Sequence, residues 1–383
     1  MAHRYSALAS NMNKRAMTLA EEIIGSVSKD VPADRALKVM FKDLAAAPEF
    51  AEEVSNIVFT YYRWYGFGKQ NLPVWKQLED TLQFESDYQP GKRALTEADI
   101  RKILPEWIFG QVDGPTDWPL AFQVKPPLWI RAKADSVEKV VSELNPKNTI
   151  NHFFPTAFEY RGKQNLFKTV AFNSGLFEIQ DIASQAVGHL CQPGTNETWL
   201  DACSGEGGKT LHLSDLMGNK GLIWAIDRSI RRLTHLKKRA GRAGAFNYRV
   251  AEWTDPKRLP MKTQCHGALV DAPCSGVGTW GRNPHARWTI TQKDITELAT
   301  IQRELLNTAS KAVKPGGKLV YSVCTLTRME TSGVADSFSE ENPGFKRVAL
   351  PHLFGGTSAS NLYLWPKETR GNGMFVSAWI KDE

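Results

Sequence analysis

The sequence predicts an α/β protein in which a Rossmann-like domain with a mostly parallel sheet follows a small α/β connector and an all-helical N-terminal domain. Three observations predict it. From about Ala171 onward, short apolar strands alternate with helical segments, as in a parallel sheet covered on both faces. From Met17 to Phe67, apolar residues recur at helical spacing, as in Ala36-Leu37-Met40-Leu44 and Val54-Ile57-Val58-Tyr61. Between the two, Gly110, Gly114, Pro115, Pro119, Pro126 and Pro127 mark a boundary.

A chain of 383 residues suits two or three domains, each able to bury its own core. The expected division is 1–120 for the helical domain, 121–172 for the connector and 173–383 for the Rossmann-like domain. Arg4, Lys14 and Arg15 stand without an acid among the first twenty residues, but Glu21 and Glu22 continue one amphipathic pattern, so a helix is expected there. In the connector, Leu128–Ala132 reads as a strand and Ser136–Leu144 as a helix capped by Ser136. Further strands are expected at 197–201, 221–226, 267–270 and 318–323.

Hydrophobic content of 42% with 23% charged residues is ordinary for a soluble protein, and no stretch approaches the roughly 18 apolar residues of a membrane span. No membrane partner is expected. Five cysteines without a CxxC pair or a His cluster argue against disulfides and metal, and fit a reducing cytoplasm. A monomer is the simplest expectation. The net charge of +7 is uneven: residues 1–120 carry 14 basic and 17 acidic side chains, 121–172 carry 8 and 4, and 173–383 carry 26 and 20. That distribution suits a polyanion held by the middle and C-terminal parts. The acidic first domain would then hold the polyanion through a local patch or serve in docking.

Ligands of open α/β sheets sit beyond the carboxyl ends of the strands, so residues ending these strands should converge. The first ends in Asp201-Ala-Cys-Ser-Gly-Glu-Gly-Gly-Lys-Thr210, whose glycines let backbone approach a ligand before a helix near Lys209. A P-loop would need glycine where Cys203 stands, and a dinucleotide fingerprint would need it where Thr210 stands. The second strand ends in Asp227, placed to hold a ribose or to cap the next helix. An adenosine-bearing cofactor is favoured. The third runs into Asp271-Ala-Pro-Cys-Ser-Gly276 and the fourth into Tyr321-Ser-Val-Cys324-Thr, which brings two thiols to one pocket.

These motifs resemble the RsmB/Sun/Nop group of RNA cytosine-5 methyltransferases, over at least residues 172–383. Asp271–Gly276 and Tyr321–Thr325 carry the resemblance, together with the glycine loop, Gln180-Asp-Ile-Ala-Ser-Gln185 and Arg282-Asn-Pro-His-Ala-Arg-Trp288. The helical N-terminus is more loosely similar to a NusB-like domain. The resemblance implies a class I methyltransferase domain that uses S-adenosylmethionine to methylate carbon 5 of a cytosine. A thiolate first adds to carbon 6, which makes carbon 5 nucleophilic.

By resemblance Cys324 is the nucleophile, Cys274 assists proton loss and product release, and Asp271 hydrogen-bonds the base edge. Lys209 or Arg282 would favour the thiolate. The expected cofactor set is Cys203, Ser204, Gly205, Glu206, Gly207, Gly208, Lys209, Asp227, Arg232, Glu252 and Asp271, with Asp255 the alternative to Glu252. Arg282, Arg287 and Trp288 are expected to line the RNA mouth, the arginines on phosphates and the tryptophan on an unpaired base. Glu206 and Met329-Glu330-Thr331 depart from the family pattern. Ribosomal RNA is the first choice of substrate and transfer RNA the alternative; a non-catalytic RNA-binding assembly factor is the other reading.

Overall fold

The structure, a computed structural model, describes residues 14–88 and 95–383 and divides into two compact units. The first comprises residues up to Lys125 together with an inserted segment, Thr279–Gln292; the second comprises Pro126–Gly278 and Lys293–Glu383. The division thus runs at 125/126 rather than 120, and the motif that follows Cys274 belongs to the helical unit.

The first unit is helical: α1 (Lys14–Ser26), α2 (Ala33–Asp43), α3 (Pro48–Arg63), α4 (Val74–Asp87) and the short α5 (Glu97–Ile100) and α6 (Trp118–Ala121). The part of the expected first helix that precedes Lys14 lies outside the described residues. The apolar spacing seen in sequence becomes a shared core of Met17, Ala20, Ile23, Leu37, Val54, Ile57, Val58, Tyr61 and Leu78.

Trp288 packs against that core and donates from Nε1 to the Tyr62 carbonyl at 2.7 Å. Arg287 is wholly buried, and its guanidinium donates to the carbonyls of Ile103, Phe122 and Trp280 at 3.1, 3.0 and 3.0 Å. Both residues were expected at an RNA mouth. Arg287 is instead an interior part of the helical unit, where it pairs the buried carbonyls of three chain segments, and Trp288, partly buried, packs on its core.

In the second unit, β1 (Leu128–Ala132), α7 (Val137–Leu144), β2 (Thr149–Asn151), β3 (Ala157–Tyr160), α8 (Val170–Asn173) and β4 (Phe177–Ile179) form an antiparallel sheet of order β2-β3-β1-β4 with its helices. Pairing of Ile130 with Ile179 carries this sheet past the expected boundary at 172; β4 is only three residues long and gives no alternation to read. Ser136 does not cap α7: its hydroxyl donates to Asp135 at 2.9 Å, and the helix follows a 3-10 turn.

The larger sheet contains β5 (Thr198–Ala202), β6 (Leu222–Asp227), β7 (Tyr248–Glu252), β8 (Cys265–Asp271), β9 (Val313–Val323), β10 (Phe345–Val348), β11 (Asn361–Leu364) and β12 (Met374–Lys381), in the order β10-β12-β9-β8-β5-β6-β7 with β11 also on β12. β5 to β9 are parallel; β12 runs antiparallel to β9. Alternate residues enter opposite cores. Val270 and Tyr321 lie on the face covered by α12 (Gln292–Ser310) and α13 (Ser332–Glu341), and Leu269 and Val320 on the face covered by α9 (Ile182–Cys191) and α10 (Gly208–Leu216). Burial on both faces explains why these strands read as continuous apolar runs.

Substitution of Arg287 by methionine leaves three buried carbonyls without a donor. Urea unfolding should show a loss of roughly 3 kcal/mol; an unchanged midpoint would refute this role.

Candidate active site

Strand order reverses at β5: its crossover leads to β6 on one side, and the chain returns from β7 to β8 on the other. The carboxyl ends of β5 and β8 therefore frame a crevice. Register brings Asp271 of β8 opposite Ser322 of β9, so the segments leading to Cys274 and Cys324 leave the sheet side by side. The two sulfurs lie 3.4 Å apart.

Beside them Lys209, in the first turn of α10, donates from Nζ to Asp271 Oδ2 at 2.7 Å, and Ser322 donates from its hydroxyl to Asp271 Oδ1 at 2.9 Å. Burial works against the Lys209 ammonium, but Asp271, Cys324 and Asp201 outweigh it and hold its pKa above the ordinary value. The thiols are driven apart. Hydrogen bonding from Cys274, together with Lys209, lowers the Cys324 pKa below 9.0 against burial; Cys274, which keeps the shared proton, is pushed well up. Arg282, the other expected cation, is half-buried in the helical unit.

The glycine loop is shaped by backbone. Cys203, Gly205 and Gly207 have φ of +62°, +56° and +86°. A Cβ on Gly207 would meet Leu236 at 2.6 Å, whereas one on Gly208 meets nothing within 4 Å and one on Gly205 nothing closer than 3.9 Å, so open space faces the loop there. Cys203 is a neutral thiol, its pKa raised by burial and then by Asp227, Asp271 and Asp201. Ser204 is tied to the Ile226 carbonyl, and Glu206 is exposed. Below the loop, Asp201 is wholly buried and accepts from the Thr210 hydroxyl at 2.5 Å; burial pushes its pKa up to about 7.

Asp227, 4% exposed, accepts from Gly205 N at 2.9 Å and Ser229 N at 2.8 Å. It does not cap the next helix, α11 (Ile230–Ala243), since the Ser229 hydroxyl does so. Arg232 Nη1 stands 4.0 Å from Asp227. Glu252 ends β7 in register with Asp227 and is exposed, whereas Asp255 accepts from Lys257 N in a turn.

Sequence reasoning missed Glu330. Wholly buried, it accepts from Ser275 N and Gln302 Nε2 at 2.8 and 3.0 Å through one oxygen, and from the hydroxyls of Ser275, Thr325 and Thr327 through the other. It thereby locks together the loops that follow the two cysteines. The signal lay in the Met-Glu-Thr departure itself, an acid flanked by threonines and a methionine. Ser322 was missed too, although it sits two residues before Cys324.

The fold is that of a Rossmann-like methyltransferase domain. The family described as 16S rRNA methyltransferase RsmB/F matches residues 189–380, and the chain belongs to that family. A probable ribosomal RNA small subunit methyltransferase B of Synechocystis is 32% identical over 249 residues, which cover 63% of this chain and 56% of that protein. Among solved structures, PH0851 has a TM-score of 0.78 at 24% identity, covering 97% of this chain and 99% of that one. NSun6 from Pyrococcus horikoshii, solved with SFG, has a TM-score of 0.62 at 20% identity and covers 69% and 93%. Both share the fold.

Cys324 should be alkylated by iodoacetamide with a midpoint below the ordinary thiol pKa of 9.0. Cys274→Ala removes its hydrogen-bond donor, so the profile should move to higher pH and the rate at pH 7 fall about tenfold per unit moved; an unmoved profile would contradict the assignment. Glu330→Gln sets an amide among donors. It should cost roughly 2–4 kcal/mol in chemical unfolding, and a stability equal to wild type would dismiss the lock.

Proposed function

We propose that this protein methylates carbon 5 of a cytosine in RNA, with S-adenosylmethionine as donor and Cys324 as the attacking nucleophile. The observation that carries the proposal is the pair of thiols 3.4 Å apart at adjacent strand ends, with the lower pKa on Cys324. Bound in the crevice, the cofactor would supply an electrophilic methyl carbon. The residues fit it: backbone from Cys203 to Gly208 borders open space, Asp227 retains lone pairs for ribose hydroxyls, and Glu252 stands in register beside it for the adenine side.

The Cys324 thiolate adds to carbon 6 of the base, which raises electron density at carbon 5. Lys209 and Ser322 keep Asp271 fixed, so that its carboxyl group can meet the N3 edge and stabilise charge on the ring. Once carbon 5 carries its methyl group, a proton has to leave that carbon and the bond from sulfur to carbon 6 has to break. Cys274, its sulfur 3.4 Å from that of Cys324, would take part in that proton transfer and so help release the product.

Ribosomal RNA is the substrate favoured by the family description and by the curated relative, and transfer RNA is the alternative. The base has to be unpaired or displaced from its stack to reach the crevice. Catalysis by free thiols suits the reducing cytoplasm, and none of the five cysteines is bridged.

The test is transfer of label from S-adenosylmethionine to unmodified ribosomal and transfer RNA, with denaturing gels run alongside. Label in 5-methylcytosine should vanish with Cys324→Ala, and a covalent RNA adduct should accumulate with Cys274→Ala. Activity that survives Cys324→Ala would overturn the nucleophile; RNA binding without transfer to any RNA would favour an assembly factor.

A further inference from the structure

The helical unit contains a cavity of about 410 Å³, with Phe59 and Arg63 of α3, Glu85 of α4, Tyr88, Lys125 and Arg282 among its walls. Arg63 is the unusual member. Its side chain is buried, at 7% exposure, yet no hydrogen bond or ion pair to its guanidinium is found among the described residues, and Nε is enclosed without a partner. Burial lowers its pKa, with Glu85 opposing. Among the described residues Glu85 is the one carboxylate in that wall, and it already accepts a hydrogen bond from Trp64 Nε1. Arg287, also buried in this unit, adds repulsion: Arg63 is one of the groups that depress its pKa.

A guanidinium removed from water without an anion is costly, and an apolar side chain would fill the same space more stably. An incoming anion offsets that cost. The planar fork of arginine matches a phosphate, Lys125 adds an exposed ammonium, and Phe59 and Tyr88 bring aromatic rings to the same wall.

We propose that this cavity is a second RNA subsite, in which Arg63 and Lys125 hold a backbone phosphate of a single-stranded segment while a neighbouring base lies against Phe59 or Tyr88. The proposal rests on the reading of RNA as substrate. It also explains how a unit with no excess of positive charge takes hold of a polyanion: Arg63, Lys125 and Arg282 meet at one cavity.

The experiment is fluorescence anisotropy of a labelled octauridylate with the full chain, across a salt series and without cofactor. Arg63→Gln should bind about tenfold more weakly, with a log–log salt slope shallower by roughly 0.7, the value for one phosphate contact on a single strand. Its melting temperature should equal or exceed that of wild type, because an unpaired buried charge is gone. Should Arg63→Gln not fold, Lys125→Gln carries the test through its exposed side chain, with about threefold weaker binding. Wild-type affinity and slope in the folded variants would overturn the subsite. Displacement of the octamer by sodium phosphate at the same phosphate concentration would overturn its assignment to RNA. Octamer binding is read without methyl transfer, so absent transfer with binding intact sinks only the enzymatic reading, and unaltered binding in the variants sinks only the subsite.

Discussion

The buried carboxylate of Glu330 is the interaction on which the geometry of the site depends. Two loops leave adjacent parallel strands, each with a thiol, and nothing in strand pairing alone fixes the path of either loop beyond the sheet. Glu330 collects donors from both, from Ser275 after Cys274 and from Thr325 and Thr327 after Cys324, and α12 contributes Gln302. A charge in the interior is tolerable here because both of its oxygens are surrounded by N–H and O–H groups. Gly278 N, which donates to the Cys324 carbonyl at 3.0 Å, closes the same junction through backbone.

Electrostatics then differentiates groups that look alike in sequence. Three cysteines lie near the strand ends, and their surroundings separate them. Cys203 is hemmed in by three aspartates and stays neutral, Cys274 holds a proton, and Cys324 benefits from that proton and from Lys209. One lysine therefore serves two partners: it pairs directly with Asp271 and acts through space on Cys324.

Much of this was legible in the sequence, for identifiable reasons. Strands buried on both faces stand out as apolar runs, and the residues that end them follow from topology, which is why Asp201, Asp227, Asp271, Cys274 and Cys324 are readable from sequence as strand-end residues. What escaped depends on contacts distant in sequence. β4 is too short to show a period and exists through its pairing with β1. Arg287 and Trp288 look like surface groups by residue type, but apart from Trp280 the hydrogen-bond partners of their side chains lie 165 and more residues away, at Phe122, Ile103 and Tyr62. Glu330 was visible only as a departure from a pattern, because a carboxylate reveals its role through donors that no spacing rule predicts.

The discontinuity of the helical unit bears on how the chain comes to fold as it is made. Its first segment ends at Lys125, while Arg287 and Trp288, which complete its interior, lie in the segment that begins at Thr279. At a synthesis rate of about 5–20 residues per second, the nascent helices wait roughly 8–30 s for these two side chains. Throughout that interval the carbonyls of Ile103 and Phe122 are without the guanidinium that later pairs them, and β5 to β8 are made before it ends. Maturation of the N-terminal helices is thus timed by the synthesis of half the sheet.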